Sequence, residues 1–256
     1  GLSLGIYGCG LDGPDASEVS VELTPDGVEL ASSWEDHGQG ADMGALGTCH
    51  EGLRPLKLAP EKIRLVMNDT ARVPNSGPAG GSRSQVMTGN AIKNGCEMLL
   101  NAMRKKDGTY RTYEEMKAEK IPLKYSGKWT ASMCTPCDAN GQGAPFPVYM
   151  YGVFMAEVTV DTRTGQTQVD KFTAMADIGK INNKLVVDGQ MYGGIAQGIG
   201  LALSEDFEDL KKHTNLVACG IPYISDIPDA LEIHYFENPR EHGPFGAAGV
   251  GEVPLT

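Results

Sequence analysis

One carboxylate stands alone in the closing stretch Gly246-Ala247-Ala248-Gly249-Val250-Gly251-Glu252-Val253-Pro254-Leu255. Glycine and alanine let a backbone approach a bulky ligand, and Glu252 is the only side chain of the run that can take up a proton. A solvated turn with a surface acid has the same composition, so the tail alone defines no site. Cys134-Thr135-Pro136-Cys137 has the spacing of redox and metal sites, yet no second such pair and no paired histidine completes a zinc set. His37, His50, His213, His234 and His242 show no metal-ligand spacing either. A metal held directly by protein side chains is therefore not expected.

Two further glycine-rich segments bear on chemistry. Residues 74–85, Pro-Asn-Ser-Gly-Pro-Ala-Gly-Gly-Ser-Arg-Ser-Gln, form a loop by composition and run into a helix on which Ile92, Cys96, Leu99 and Met103 recur. Ser82 and Gln85 have the spacing of a capping box, and Arg104, Lys105 and Lys106 close the last turn. A helix N-terminus entered from such a loop presents backbone N–H groups to an anion, although the Gly-Lys-Ser/Thr ending of a P-loop is missing. Residues 189–200 carry Gln190 and Gln197 among glycines, with Met191, Ile195 and Ala202 on one helical face. Glycine costs a helix about 1 kcal/mol relative to alanine, so something approaches this one closely, either a neighbouring helix or a flat cofactor.

These segments need a framework. Val19, Val21 and Leu23 alternate up to a Thr24-Pro25-Asp26-Gly27 turn, and Val28 and Leu30 resume the pattern as a hairpin. Ala41, Ala45, Leu46, Cys49 and Leu53 mark a helix, and residues 63–67 a short strand. Residues 107–147 read as a surface excursion with a short helix near 113–119. Strands follow over 148–160 and 166–176, joined by Asp161-Thr162-Arg163-Thr164-Gly165, and another over 231–236. The class is α+β, mixed sheets with helices, without regular βαβ alternation.

The 256 residues are 41% apolar and 21% charged, enough to bury a core, and the net charge of −11 argues against nucleic acid as a partner. No apolar run is long enough for a membrane span, and six scattered cysteines fit a reducing, cytoplasmic setting.

Taken in order, Gly38-Gln39-Gly40, the 74–84 loop, the 189–200 segment and Gly249-Val250-Gly251-Glu252 resemble the molybdenum-binding domain of the xanthine oxidase family of molybdenum hydroxylases. The likeness is greatest to the bacterial aldehyde oxidoreductases and includes Val73-Pro74-Asn75-Ser76, Tyr151-Gly152-Val153 and Asp177-Ile178-Gly179 with Asn183. It implies that residues 1–256 are the C-terminal portion of a molybdopterin-binding domain, excised from a longer chain. By that resemblance Gln39, Ala79, Gly80, Gly81, Ser82, Ser84, Gln197 and Gly251 contact a molybdopterin, with Asn183 and Gln190 toward its dinucleotide tail. The cytosine dinucleotide form is expected, with molybdenum held by the pterin. Glu252 matches the family's general base, which accepts a proton as water-derived oxygen attacks an aldehyde carbon. Electrons then pass to [2Fe-2S] clusters in other parts of the protein, and a homodimer is expected. A non-catalytic cofactor-binding or delivery module, and a purine or N-heterocycle hydroxylase, are the alternatives. Val253 and Lys184 stand where many relatives have proline, which bears on loop rigidity alone.

Overall fold

The computed structural model describes residues 1–67 and 69–255. Eight strands and four longer helices follow in the order β1 (Leu2–Cys9), β2 (Ala16–Thr24), β3 (Gly27–Ser32), α1 (Ala41–Gly52), β4 (Ile63–Met67), α2 (Ser84–Met103), α3 (Tyr113–Ala118), β5 (Lys124–Thr130), β6 (Val148–Val160), β7 (Thr167–Asp177), α4 (Lys184–Leu203) and β8 (Ala230–Phe236). They build two four-stranded sheets, ordered β1-β6-β7-β8 and β4-β3-β2-β5. Each sheet mixes antiparallel pairs with one parallel pair, β7 with β8 and β3 with β4. The α+β class with mixed sheets follows from the sequence pattern.

Helix α2 joins the two layers. Its first turns contribute Val86 and Met87 to the core of the β1-β6-β7-β8 sheet. Its later turns place Ala91, Ile92, Cys96, Leu99 and Met103 in the core of the other sheet. Close approach is needed here: a Cβ on Gly127 of β5 would fall 2.1 Å from the Ala91 carbonyl oxygen. The N-terminus of α2 therefore sits at the junction of the layers.

Two strands escape the sequence pattern. The 107–147 excursion contains β5, an edge strand paired with β2 from Ala16↔Thr130 to Glu22↔Lys124. Its charges conceal it, because Lys124 and Lys128 reach across to Glu22 and Glu18 on the neighbouring strand. Strand β1 is hidden by Gly5 and Gly8 and by the exposure of Leu2, Leu4 and Ile6.

Two terminal details differ from expectation. Ser82 does not cap α2; the helix begins at Ser84 with Arg83 at the cap position and no side-chain cap. At the other end α2 stops at Met103, and Arg104 already has extended backbone, so no basic residue lies in the last turn. Helix α4 starts earlier than its glycines suggest, because the Asn183 side chain caps it by accepting a bond from Val186 N–H at 3.2 Å. No helix is long and apolar enough to cross a membrane among the described residues.

Candidate active site

A cleft of about 370 Å³ opens between the N-termini of α1, α2 and α4 and the closing tail. Gln39, Ala79, Gly80, Ser82, Ser84, Asn183, Gln190, Gln197, Gly251 and Glu252 all line it. Of the cofactor contacts expected from the sequence, Gly81 alone lies off the lining. It turns the loop instead, with φ +59° and its carbonyl accepting a bond from Gly10 N–H at 3.0 Å.

Glu252 is half-buried and lines the cleft. Its Oε1 accepts the Ser82 N–H at 3.1 Å, and its Oε2 accepts the Ser82 hydroxyl. Burial raises the carboxyl pKa above the ordinary glutamate value, opposed by the backbone N–H bonds of Ser82 and its neighbours. The serine can make both bonds because it adopts left-handed backbone, φ +50°, which costs a non-glycine residue about 1–2 kcal/mol. Ser82 thus grips the carboxylate and is not the helix cap that its spacing suggested.

The tail itself explains part of the glycine content of α4. A Cβ at Gly194 would sit 2.4 Å from Cγ of Pro254, and one at Gly198 would lie 3.4 Å from the Leu255 carbonyl. The segment just beyond Glu252 makes these contacts. By contrast, an added Cβ at Gly189 or Gly193 meets nothing within 4 Å.

The amides divide by role. Gln39 is bonded within its own loop, Oε1 accepting from His37 N–H and Nε2 donating to the Glu35 carbonyl. Asn183 caps α4, as noted above. Gln190 and Gln197 line the cleft, and neither side chain bonds another described residue. Asn182, not singled out in the sequence, donates to the Gly44 carbonyl at 2.9 Å, Thr48 Oγ1 at 3.1 Å and Gln85 Oε1 at 3.3 Å, tying the α4 approach to α1 and α2.

Two other polar groups escaped notice. Arg83 is 1% exposed, and its guanidinium reaches Asp15 together with the carbonyls of Ala16, Ser76 and Pro78. The signal was the one cation in an otherwise uncharged loop. Cys9 accepts the Gly249 N–H at 3.4 Å, and burial pushes its thiol up to about 12. Cys134 is buried in the core and Cys137 is exposed, and both are free thiols.

Backbone donors at a helix N-terminus with no acid in its own first turn, small residues beside them and two amide side chains without partners among the described residues suit a flat, anionic, hydrogen-bonding ligand such as a molybdopterin. The comparisons agree. Residues 1–228 match the model of the molybdopterin cofactor-binding domain, and the chain belongs to that family. It is 63% identical, over its whole length, to the aldehyde oxidoreductase of Megalodesulfovibrio gigas. The crystal structure of the aldehyde oxidoreductase from Desulfovibrio desulfuricans superposes with a TM-score of 0.97 at 64% identity, covering all of this chain and 28% of that one. Quinoline 2-oxidoreductase from Pseudomonas putida shares the fold at 20% identity, with a TM-score of 0.76 over 99% of this chain and 37% of that one. The chain spans 28% of the length of the M. gigas relative.

Proposed function

We propose that this chain is the part of a molybdenum-dependent aldehyde oxidoreductase that supplies the catalytic base and one side of the cofactor cleft. The observation that carries the reading is Glu252, a half-buried carboxylate lining the cleft and held by Ser82. Identity of 63% over all of this chain to 28% of an aldehyde oxidoreductase supports the substrate class. Gly80, Ser82, Ser84, Gln190 and Gln197 would hold the molybdopterin, with Ala79 and Gly251 as backbone contacts and Gln39 and Asn183 shaping the rim. The cytosine dinucleotide form is proposed, with [2Fe-2S] clusters on other parts of the protein, a homodimeric assembly and a cytoplasmic location. When bound, the molybdenum–pterin supplies two-electron oxidation and activation of water.

The protein's own contribution is proton transfer. Each oxygen of Glu252 accepts a bond from Ser82, and a carboxylate has about four acceptor sites in all, so capacity for an incoming proton remains. Burial makes the carboxylate more basic than a solvated glutamate, bringing it nearer to working pH. The Ser82 bonds fix its direction, so acceptance of the proton from the attacking water-derived oxygen needs no side-chain search. Metal and pterin analysis of the purified whole protein, combined with aldehyde-dependent dye reduction, tests the assignment. Bound cofactor with turnover of aldehydes is expected. Cofactor without turnover identifies a binding or delivery module, and turnover of purines or N-heterocycles in place of aldehydes overturns the substrate class.

A further inference from the structure

We propose that the turn between β1 and β2, through its buried Asp15, is a clamp that sets the spacing of Glu252 and Ser82, with Arg83 and Asp15 as positioning residues for the base. The inference rests on Glu252 being that base. Residues 9–16 hold both loops. On the Ser82 side, Gly10 N–H bonds the Gly81 carbonyl at 3.0 Å, and Asp15 takes the Arg83 fork through Nε at 2.7 Å and Nη2 at 2.8 Å. On the Glu252 side, Cys9 Sγ accepts the Gly249 N–H, three residues before the carboxylate.

The two loops touch through backbone. A Cβ on Gly249 would fall 2.5 Å from the Ser82 carbonyl oxygen, so no side chain lies between them to absorb a displacement. Whatever fixes residues 76–83 therefore fixes the donor against the acceptor. Arg83 does this from inside the loop. One planar group binds the carbonyls of Ser76 and Pro78 at 2.9 Å each, the Ala16 carbonyl at 2.6 Å and both oxygens of Asp15. Asp15 is itself fixed by N–H bonds from Leu11 at 3.1 Å and Ala16 at 2.7 Å. A buried ion pair adds little net stability over an apolar pair of similar volume, so its distinctive contribution is direction. That direction is needed because Ser82 occupies left-handed backbone, which an unanchored serine leaves readily.

The test uses the full-length enzyme carrying Asp15→Leu with Arg83→Met, which removes both charges and leaves none buried alone. The crystal structure of the variant reads the geometry without reference to activity: the Ser82 N to Glu252 separation is expected to lengthen from 3.1 Å to beyond hydrogen-bond range. Turnover is expected to fall about 10- to 100-fold with KM nearly unchanged. The acid limb of the kcat/KM profile should move to higher pH, because the Ser82 N–H holds the carboxyl down against burial. Tyr7 and Cys9 of β1 are the titratable groups that sense the Glu252 charge, and burial raises both, so neither supplies that limb. A folded double variant with the Ser82–Glu252 contact intact overturns the clamp. Loss of the contact with an unmoved limb upholds the clamp and overturns Glu252 as the base. Should the double variant not fold, Arg83→Lys decides: it keeps the charge but not the fork, and wild-type kcat with a wild-type acid limb refutes the proposal.

Discussion

Replacing Gly194 with alanine separates the stability of α4 from the placement of Glu252. The new methyl would stand 2.4 Å from Cγ of Pro254 and 2.9 Å from its Cβ. Ordinary carbon contacts lie at about 3.5–4.0 Å, so the pair must part by roughly 1 Å. Helix α4 is anchored over several turns by the buried Met191, Ile195 and Ile199, whereas the tail is a single turn held by Val253 and Pro254, so the shorter element is expected to yield. Glu252 lies two residues before Pro254 and moves with it. Alanine raises helix propensity by about 1 kcal/mol, and overpacking costs about 1–3 kcal/mol, so stability should change by no more than about 2 kcal/mol. A displacement of about 1 Å at the reacting groups costs on the order of 100-fold in rate. Gly198→Ala is the matched control, since its methyl would meet the Leu255 carbonyl at an ordinary 3.4 Å. It should keep near-wild-type turnover and gain up to about 1 kcal/mol. Melting curves and kcat/KM of the whole enzyme read both effects. Wild-type rate in Gly194→Ala, with rate lost in Gly198→Ala, would refute the claim that the tail contact places the carboxylate.

Other consequences follow from the same geometry. Ser82→Ala removes one of the two donors to Glu252 while keeping the N–H, so the acid limb of kcat/KM should rise in pH; an unchanged profile would show that the hydroxyl does not bear on the base. Because folding raises the Glu252 pKa from 4.5, the folded state holds the extra proton in the window just above 4.5, and the group's stabilising contribution is lost as pH rises through its folded pKa. Glu252→Gln should therefore gain stability relative to wild type across that window and level off above it, as melting temperatures against pH would reveal. Cys9, with its thiol pushed up to about 12 by burial, should resist alkylation at pH 8 in the native protein; rapid labelling, located by mass spectrometry, would contradict its enclosure.

Much of this was legible in the sequence because local pattern and tertiary role coincide. The Pro25-Asp26 turn fixes the β2–β3 hairpin, strand β4 falls over Ile63–Met67 where a short apolar strand was expected, and β6 and β7 meet across the 161–165 turn. The cleft residues were reached differently, through the resemblance of four ordered loops to a known family, and those loops converge on one opening; close backbone approach accounts for Gly194 and Gly249 but not for Gly80, Gly189 or Gly193. Roles were harder to read than membership. Ser82 matches a capping box in spacing, but its left-handed φ turns the hydroxyl away from the helix and toward a residue 170 positions later. Nothing local to Gly194 names Pro254 as its neighbour. Arg83 and Asp15 form a buried pair across 68 residues, a contact that spacing cannot encode. Strand β5 was concealed because edge strands carry charge on purpose, and Lys124 and Lys128 resemble loop composition.

The central claim, that Glu252 takes the proton, is tested most directly by Glu252→Gln in the whole enzyme, with molybdenum and pterin content measured on the same sample. Glutamine keeps the shape and still accepts from Ser82 through its carbonyl oxygen, but it has no basic lone pair of comparable strength. The account predicts retained cofactor and a loss of turnover of about 100- to 10,000-fold, the range of general-base catalysis. Turnover within a few-fold of wild type, with cofactor in place, would contradict it.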